Sequence, residues 1–326
     1  MFRGALSVLP LLPLLPLLPL LPLLPLLLLF GLVSIPEAGA QHSKRNTISI
    51  WEVRDEDNVV YLAGSVHLLR ESDLPIPAGY YRAYQDSDHI YFELDMAQVS
   101  QPEMKRRMIE LGRLPENQNL SFFLSGKTLR KLHRHVAEKG IPGQMMDRLK
   151  PGMVLLTLSA LSAGEKGASA DNGVEALLYQ RCVEDRKATS GLETPEFQLS
   201  MFDGFDPDLL EKLIHEAIEE SGPDENLVES LIQAWREGDC DAVEKLIFDQ
   251  SPESAAVHEI VMAKRNRSWL PVIEKSIAGK RNEMFVVGAG HLIGKDGVVD
   301  LLRKKGYRVR QLNNESLVNL SAGRLR

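Results

Sequence analysis

The chain contains two histidines in matching sequence contexts, and their chemistry is the first clue to function. One apolar run ends in Gly64-Ser-Val-His67, and a second ends in Gly288-Ala-Gly-His291. In both copies a leucine follows the histidine. A glycine at the end of a strand allows close backbone approach, and a neutral imidazole is a common metal ligand. We expect the two copies to fold toward each other and to place His67 and His291 in one site.

The four-residue Gly-x-x-His pattern is weak evidence by itself. In 326 residues with 24 glycines and 8 histidines, fewer than one copy is expected by chance, whereas this chain has three. The third copy, Gly39-Ala-Gln-His42, lacks a strand-like run before it. The shared strand context, and not the pattern alone, therefore supports the pair.

A hydrolytic metal site also needs a carboxylate, and two candidates follow the first histidine. The strand-like segment that closes the first copy ends in Glu93-Leu-Asp95. Two histidines with one or two carboxylates, and one coordination position left open, are common in hydrolytic sites. Glu93 is the first candidate and Asp95 the second. The ion would be a divalent metal, with Mn²⁺, Co²⁺ and Zn²⁺ as the candidates.

A dinucleotide-binding turn is an alternative interpretation of the second copy. A strand, the turn Gly288-Ala-Gly290, a helix and a strand follow one another here, as in such turns. The sequence departs from the pattern at Ile293, where glycine or alanine is required. The second strand ends at Asn313 without an acidic residue to bind the ribose. This interpretation is therefore the less favoured one.

The composition and the N-terminal sequence limit the classes of protein to which this chain can belong. The chain is 44% hydrophobic and 25% charged, as globular proteins are, and its net charge of −7 argues against nucleic-acid binding. Residues 1–40 combine an early arginine, a leucine-rich run and a small-residue pattern that ends at Ala40. We expect a signal peptide cleaved near Ala40, and hence a secreted or periplasmic protein of the cell envelope without a stable membrane span. An uncleaved anchor is the alternative, although repeated proline opposes a spanning helix.

The order of the predicted elements indicates an α/β fold. Two related strand, Gly-x-x-His, helix, strand halves should form a central sheet region, with a large helical insertion at about 101–279 between them. One domain is expected over 41–326, with its core at 47–312. Ser125 and Thr194 are predicted helix N-caps. The predicted strands are 47–53, 59–63, 90–94, 187–191, 284–287 and 307–312; predicted helices include 78–85, 252–265, 269–278 and 297–305; and 164–171 is predicted as a loop.

Short motifs spread along the mature chain are specific when they are taken together and in order. They are Tyr61-Leu-Ala-Gly-Ser-Val-His67, Phe92-Glu-Leu-Asp95, Gly191-Leu-Glu-Thr194 with Gln198, Ala234-Trp-Arg-Glu-Gly-Asp239, Arg265-Asn266 with Trp269, and Val287-Gly-Ala-Gly-His-Leu292 followed by Gly294 and Gly297. In these motifs the chain resembles the TraB/GumN family, whose members include the TIKI metalloproteases. The resemblance covers about Thr47 to Leu312.

The resemblance implies a divalent-metal site made by both Gly-x-x-His motifs and a glutamate, which here are His67, His291 and Glu93. It implies hydrolysis of peptide bonds, as described for TIKI-like members, with a peptide or other small substrate in a cleft. Glu93 would complete the ligand set or act as general base, and Arg265 would stabilise an oxyanion. Glu175 stands where GumN-like sequences tend to have Asp in a Gly-x-Asp pattern, and we expect the longer acid to shift a contact behind the ligands. Candidates for orienting the ligands or contacting the substrate are Gly64, Ser65, Asp95, Glu193, Asn266, Gly288 and Gly290.

A second function class stays open. GumN takes its name from a polysaccharide gene cluster, and related folds bind haem or open lactone rings. The preferred hypothesis is an exported metal-dependent hydrolase. The alternative is a non-catalytic envelope protein that binds metal, haem or glycan through the same cleft.

Overall fold

A computed structural model describes residues 47–219, 225–248 and 252–313 of the chain. The predicted signal peptide, residues 1–40, lies outside the described residues. Within the described ranges, no helix combines the length and the apolar composition needed to cross a bilayer.

The described residues form eight strands, six of them in a mixed central sheet. They are β1 (Thr47–Arg54), β2 (Val59–Ser65), β3 (Leu69–Arg70), β4 (His89–Leu94), β5 (Ala168–Ser169), β6 (Ala188–Glu193), β7 (Glu283–Gly288) and β8 (Val309–Asn313). The order across the sheet is β6-β4-β7-β2-β1-β8, and β3 pairs with β5 in a small ribbon. β1 runs antiparallel to both of its neighbours, whereas β2, β7, β4 and β6 pair in parallel.

The two copies of the histidine motif follow neighbouring strands. β2 and β7 pair in parallel, with Gly64 opposite Val287 and Ser65 opposite Gly288. Both strands are buried along their whole length. This burial explains their continuous apolar runs, since a central parallel strand has no solvent face. β7, from the C-terminal copy, lies between β2 and β4 of the first copy. The expected α/β fold with a central sheet is therefore confirmed.

Helices make up most of the remaining regular structure. Ser125 and Thr194 cap helices as expected, because each side chain accepts a hydrogen bond from the third backbone N–H after it. The helices are α1 (Ala78–Asp86), α2 (Met96–Val99), α3 (Pro102–Leu111), α4 (Gly126–Glu138), α5 (Gly143–Met146), α6 (Pro151–Glu165), α7 (Val174–Asp185), α8 (Pro195–Ser200), α9 (Pro207–Glu219), α10 (Glu225–Glu237), α11 (Cys240–Ile247), α12 (Pro252–His258), α13 (Lys264–Ile277), α14 (Ala289–Leu292) and α15 (Val298–Lys304).

Two local predictions in the helical middle are wrong. The predicted helices 252–265 and 269–278 are joined, because α12 continues through a π-helical turn at Glu259–Ala263 into α13, which includes Pro271. The residues between the two predicted helices, 266–268, stay helical and include Asn266, whose side chain is buried, so tertiary contacts outweigh the local preference. The predicted loop 164–171 contains β5, which exists only because β3 pairs with it.

The two copies differ in the structure that follows their histidines. A loop does follow the first copy and leads into β3, whereas His291 lies inside the single-turn helix α14. α14 ends at Leu292 and the next helix begins at Val298. A dinucleotide-binding turn leads directly into a long helix. The structure therefore lacks that feature at the second copy, within the residues it describes.

Candidate active site

Four parallel strands bring the candidate side chains to one edge of the sheet. β2 leads into His67, β4 carries Glu93 near its end, β6 ends at Glu193, and β7 leads into His291. These four side chains are at most 2% exposed. The carboxyl ends of parallel strands are where α/β folds bind ligands.

Glu93 lies between the two histidines. Its Oε1 is 3.9 Å from His67 Nε2 and 3.8 Å from His291 Nε2, and it accepts a hydrogen bond from the Gly288 N–H at 2.8 Å. A methyl group on Gly288 would stand 3.1 Å from His67 Nε2 and 3.4 Å from Glu93 Oε1, so a side chain there would crowd the space among them. Because ligand atoms lie about 2 Å from a metal, donors about 4 Å apart can share one ion.

Glu175 lies behind His67 and favours its protonated form. Glu175 Oε1 is 2.7 Å from His67 Nδ1, although the N–H is poorly aligned for a hydrogen bond. The Ser65 hydroxyl donates to the same Oε1. Burial alone would lower the pKa of His67, but the carboxylates of Glu175 and Glu93 raise that pKa above its ordinary value. His67 Nε2, on the other side of the ring, has no hydrogen-bond partner among the described residues.

His291 is held in the opposite charge state. Its Nδ1–H donates to Asn266 Oδ1 at 2.6 Å, and Asn266 Nδ2 donates to the Asp296 carbonyl at 2.8 Å, which fixes the amide orientation. His291 Nε2 therefore carries the lone pair, and Arg265 Nη1 donates to it at 2.9 Å. Burial first, and then the positive charges of Arg265 and His67, hold the pKa of His291 well below its ordinary value.

Arg265 is a fully buried cation between two buried carboxylates. Its Nη2 donates to Glu93 Oε2 at 2.6 Å and to Glu193 Oε2 at 2.8 Å, and its Nε donates to Glu193 Oε1 at 2.8 Å. Gln198 Nε2 and Trp269 Nε1 also donate to Glu193, at 3.0 and 2.8 Å. This network fixes the second oxygen of Glu93, because a buried charge that loses its partner is costly.

The side chains of His67, His291 and Glu93 are of types that bind divalent ions, but their present arrangement does not form a complete metal site. In the described part of the chain, no three His, Cys, Asp or Glu side chains are arranged to hold a metal. Arg265 Nη1 occupies the direction in which His291 Nε2 would bind an ion. His67 Nε2, in contrast, is buried and unpartnered among the described residues, as a ligand atom would be. The residues therefore fit a metal provided that one contact, Arg265 to His291, opens.

The other candidate residues support the site at its edges. The Asp95 side chain accepts hydrogen bonds from the backbone of Ala97 and Gln98, so it caps α2. The Gly64 carbonyl accepts a hydrogen bond from Trp235 Nε1 at 2.8 Å. A methyl group on Gly290 would stand 2.6 Å from the end of the Met262 side chain. These three residues thus act through packing and capping.

Glu175 contacts His67, but it was not among the candidate site residues predicted from the sequence. The available signal was its position in the Gly-x-Asp pattern, at Gly173-Val-Glu175. Gly173 explains that pattern, because a methyl group there would stand 2.2 Å from the carbonyl oxygen of His67. The Val174 N–H donates to the Val66 carbonyl at 3.1 Å. The start of α7 is thereby held against the first histidine loop.

Comparison with known proteins shows where the chain belongs. It is 26% identical over 318 residues to Metalloprotease TIKI2 of Xenopus tropicalis, covering 80% of this chain and 59% of the relative. It is 25% identical over 307 residues to Metalloprotease TIKI2 of Danio rerio, covering 76% and 57%. It is 24% identical over 329 residues to Metalloprotease TIKI1 of Homo sapiens, covering 84% and 63%. The chain thus spans about three-fifths of the length of these curated relatives.

No solved structure matches the chain. The profile of the TraB/PrgY/gumN family matches residues 49–311, which is most of the sequence and includes every candidate site residue. The chain belongs to the TraB/PrgY/gumN family.

Proposed function

We propose that the chain is an exported metal-dependent hydrolase that acts on peptide bonds. The observation that supports this proposal best is the position of Glu93 Oε1, within 4 Å of the Nε2 atoms of both His67 and His291. The names of the relatives, which are metalloproteases, favour the same chemistry.

His67, His291 and Glu93 would hold a divalent ion such as Mn²⁺, Co²⁺ or Zn²⁺. A bound ion of this kind lowers the pKa of water and polarises a carbonyl group. Glu93 is suited to hold or accept a proton, because the Gly288 N–H orients Oε1 while Arg265 holds Oε2.

Arg265 would serve the reaction through its Nη1 group. Its other nitrogens are bound to Glu93 and Glu193, whereas Nη1 donates to His291 Nε2 and to the Val261 carbonyl. When Nη1 leaves His291, the imidazole gains a free lone pair. The same movement gives the guanidinium a free N–H for a developing oxyanion.

Metal titration of the mature protein tests the proposal. We expect His67→Ala and His291→Ala each to lower Mn²⁺ affinity by at least about tenfold, since each removes a ligand. His135→Ala, on α4, is the matched control and should bind as the native protein does. Unchanged affinity in both site variants would show that they do not share a metal. Cleavage of a broad peptide library, followed by mass spectrometry, then tests for peptide hydrolysis.

One observation favours the second candidate function, a non-catalytic envelope protein that binds metal, haem or glycan. Arg265 Nη1 donates to His291 Nε2, so this histidine does not offer the ligand position that a catalytic metal needs, whereas a protein that binds haem or glycan without catalysis does not require that position. A protein that binds metal but leaves the whole peptide library intact would support this alternative.

Export forms part of the proposal and rests on the leader sequence, residues 1–40. A cleaved leader gives a mature protein that begins at Gln41. N-terminal sequencing of the secreted or periplasmic form checks this, and a retained leader would indicate an anchored protein instead.

A further inference from the structure

A cavity of about 390 Å³ opens beside the first histidine. Its inner end is formed by His67 and Glu175, and its walls come from α2, α3 and α7. A volume of this size lies at the lower end of the range of small-molecule sites, about 300–1,000 Å³. The cavity is therefore large enough for a substrate side chain next to the site.

The walls of this cavity are mostly apolar. Met108 is 1% exposed and Val99 is 9% exposed, so they are buried apolar residues of the cavity wall. Val183 is 60% exposed, although it is a large apolar residue, and it lies at the cavity. Exposed apolar surface that continues into a cavity is typical of ligand sites. The residues that give the walls their character are Met96, Val99, Met108, Ala176, Tyr179 and Val183.

The charged residues that line the cavity favour neither an anionic nor a cationic ligand. Besides the facing pair of His67 and Glu175, the lining contains one basic residue, Lys105, and one acidic residue, Asp171. Methionine side chains adapt to irregular apolar groups. An uncharged apolar group is therefore the occupant that the lining fits, because a charged group would lose its water without gaining a matched partner.

We propose that this cavity is the specificity subsite of the hydrolase and that it takes a large apolar side chain of a peptide substrate. The proposal rests on the proposed function, because it assumes that the substrate lies at His67. It adds that the enzyme selects peptides with an aromatic or long aliphatic side chain beside the bond to be cleaved.

Binding of two blocked tripeptides, measured by calorimetry on the metal-free mature protein, tests the subsite. The probes are acetyl-Gly-Phe-Gly-amide and acetyl-Gly-Ser-Gly-amide. We expect the phenylalanine peptide to bind tighter by roughly tenfold or more, as apolar pockets usually discriminate. Ala176→Phe fills the cavity and should abolish this preference. Glu184→Phe places the same ring at an exposed position of α7 outside the cavity lining and should keep it.

A second variant guards against loss of folding in Ala176→Phe. Val183→Asp changes an exposed lining residue, and we expect it to weaken binding of the phenylalanine peptide several-fold while the serine peptide is unaffected. A native protein without preference, or a preference that survives both variants, would overturn the subsite. Preference in binding without cleavage after Mn²⁺ is added would count against the hydrolase alone. Cleavage of both peptides at equal rates would count against the subsite alone.

Discussion

His67 and His291 end matching motifs, yet their surroundings shift their pKa values in opposite directions. Glu175 and Glu93 outweigh the effect of burial and raise the pKa of His67, whereas burial and Arg265 lower the pKa of His291. The carboxylates therefore favour the imidazolium form of His67, whereas burial and Arg265 favour the neutral form of His291. A metal binds only the neutral imidazole, so it must displace the proton from His67.

Glu175→Gln should shift the pH dependence of metal binding to lower pH. With Glu175 present, Mn²⁺ affinity rises as pH increases through the raised pKa of His67. Without this carboxylate that pKa falls, so the proton leaves at lower pH and the metal meets less competition. Mn²⁺ titrations at a series of pH values from about 5.5 to 8.5 check this. Glu196→Gln, an exposed carboxylate that pairs with Arg107, is the control. An unchanged midpoint in Glu175→Gln would contradict the role given to Glu175.

Sequence motifs identified the residues that meet at the site better than they identified their partners. His67, His291 and Glu93 follow or end apolar strands, so a local pattern marks them, and the structure brings them together. The contact between Arg265 and His291 could not be predicted, because it depends on how α13 lies against the sheet. Whether these residues hold a metal stays a prediction.

Gly173 connects the helical middle to the histidine loop. Its φ of −62° is available to any residue, so steric contact and not backbone conformation requires glycine. An added methyl group would stand 2.2 Å from the backbone oxygen of His67. Backbone cannot move aside as a flexible side chain can. The start of α7 would therefore have to shift, and Glu175 would shift with it.

Gly173→Ala should lower the free energy of unfolding by about 1–3 kcal/mol, the usual cost of overpacking. Gly164→Ala is the control, because its methyl group would meet nothing within 4 Å on helix α6. Alanine is favoured over glycine in helices, so this control should stabilise the protein by up to about 1 kcal/mol. Urea unfolding of both variants at one pH measures the difference. If Gly173→Ala were as stable as the control, the close contact with His67 would be refuted.

Helix and strand positions follow from local patterns where those patterns are strong. Ser125 and Thr194 marked helix starts because their side chains satisfy free backbone N–H groups. The single turn of α14 and the pairing of β5 were missed because each is too short to show a period. Such elements form through contacts with distant residues.

The central sheet joins segments from both ends of the described chain. β2 and β7 are neighbours although the helical middle separates them in sequence. The pairing of the two copies was predictable from their matching runs. The strand order was not, because an apolar run shows that a strand is buried without showing which strand lies beside it. That residues 41–326 form one domain stays a prediction.

The mature chain should unfold in one cooperative transition, because β6 of the helical middle pairs with β4 and because Arg265 of α13 binds Glu93 in β4. Neither part can lose its structure without exposing buried charge in the other.

Tryptophans lie in both parts: Trp51 in β1, and Trp235 and Trp269 in α10 and α13. Urea unfolding of Trp51→Phe reports on the helical middle by fluorescence, and Trp235→Phe/Trp269→Phe reports on the sheet. In each variant the fluorescence and circular dichroism midpoints should coincide, even where the substitution lowers stability. A fluorescence transition separated from circular dichroism in either variant would indicate that the helical middle is an independent unit.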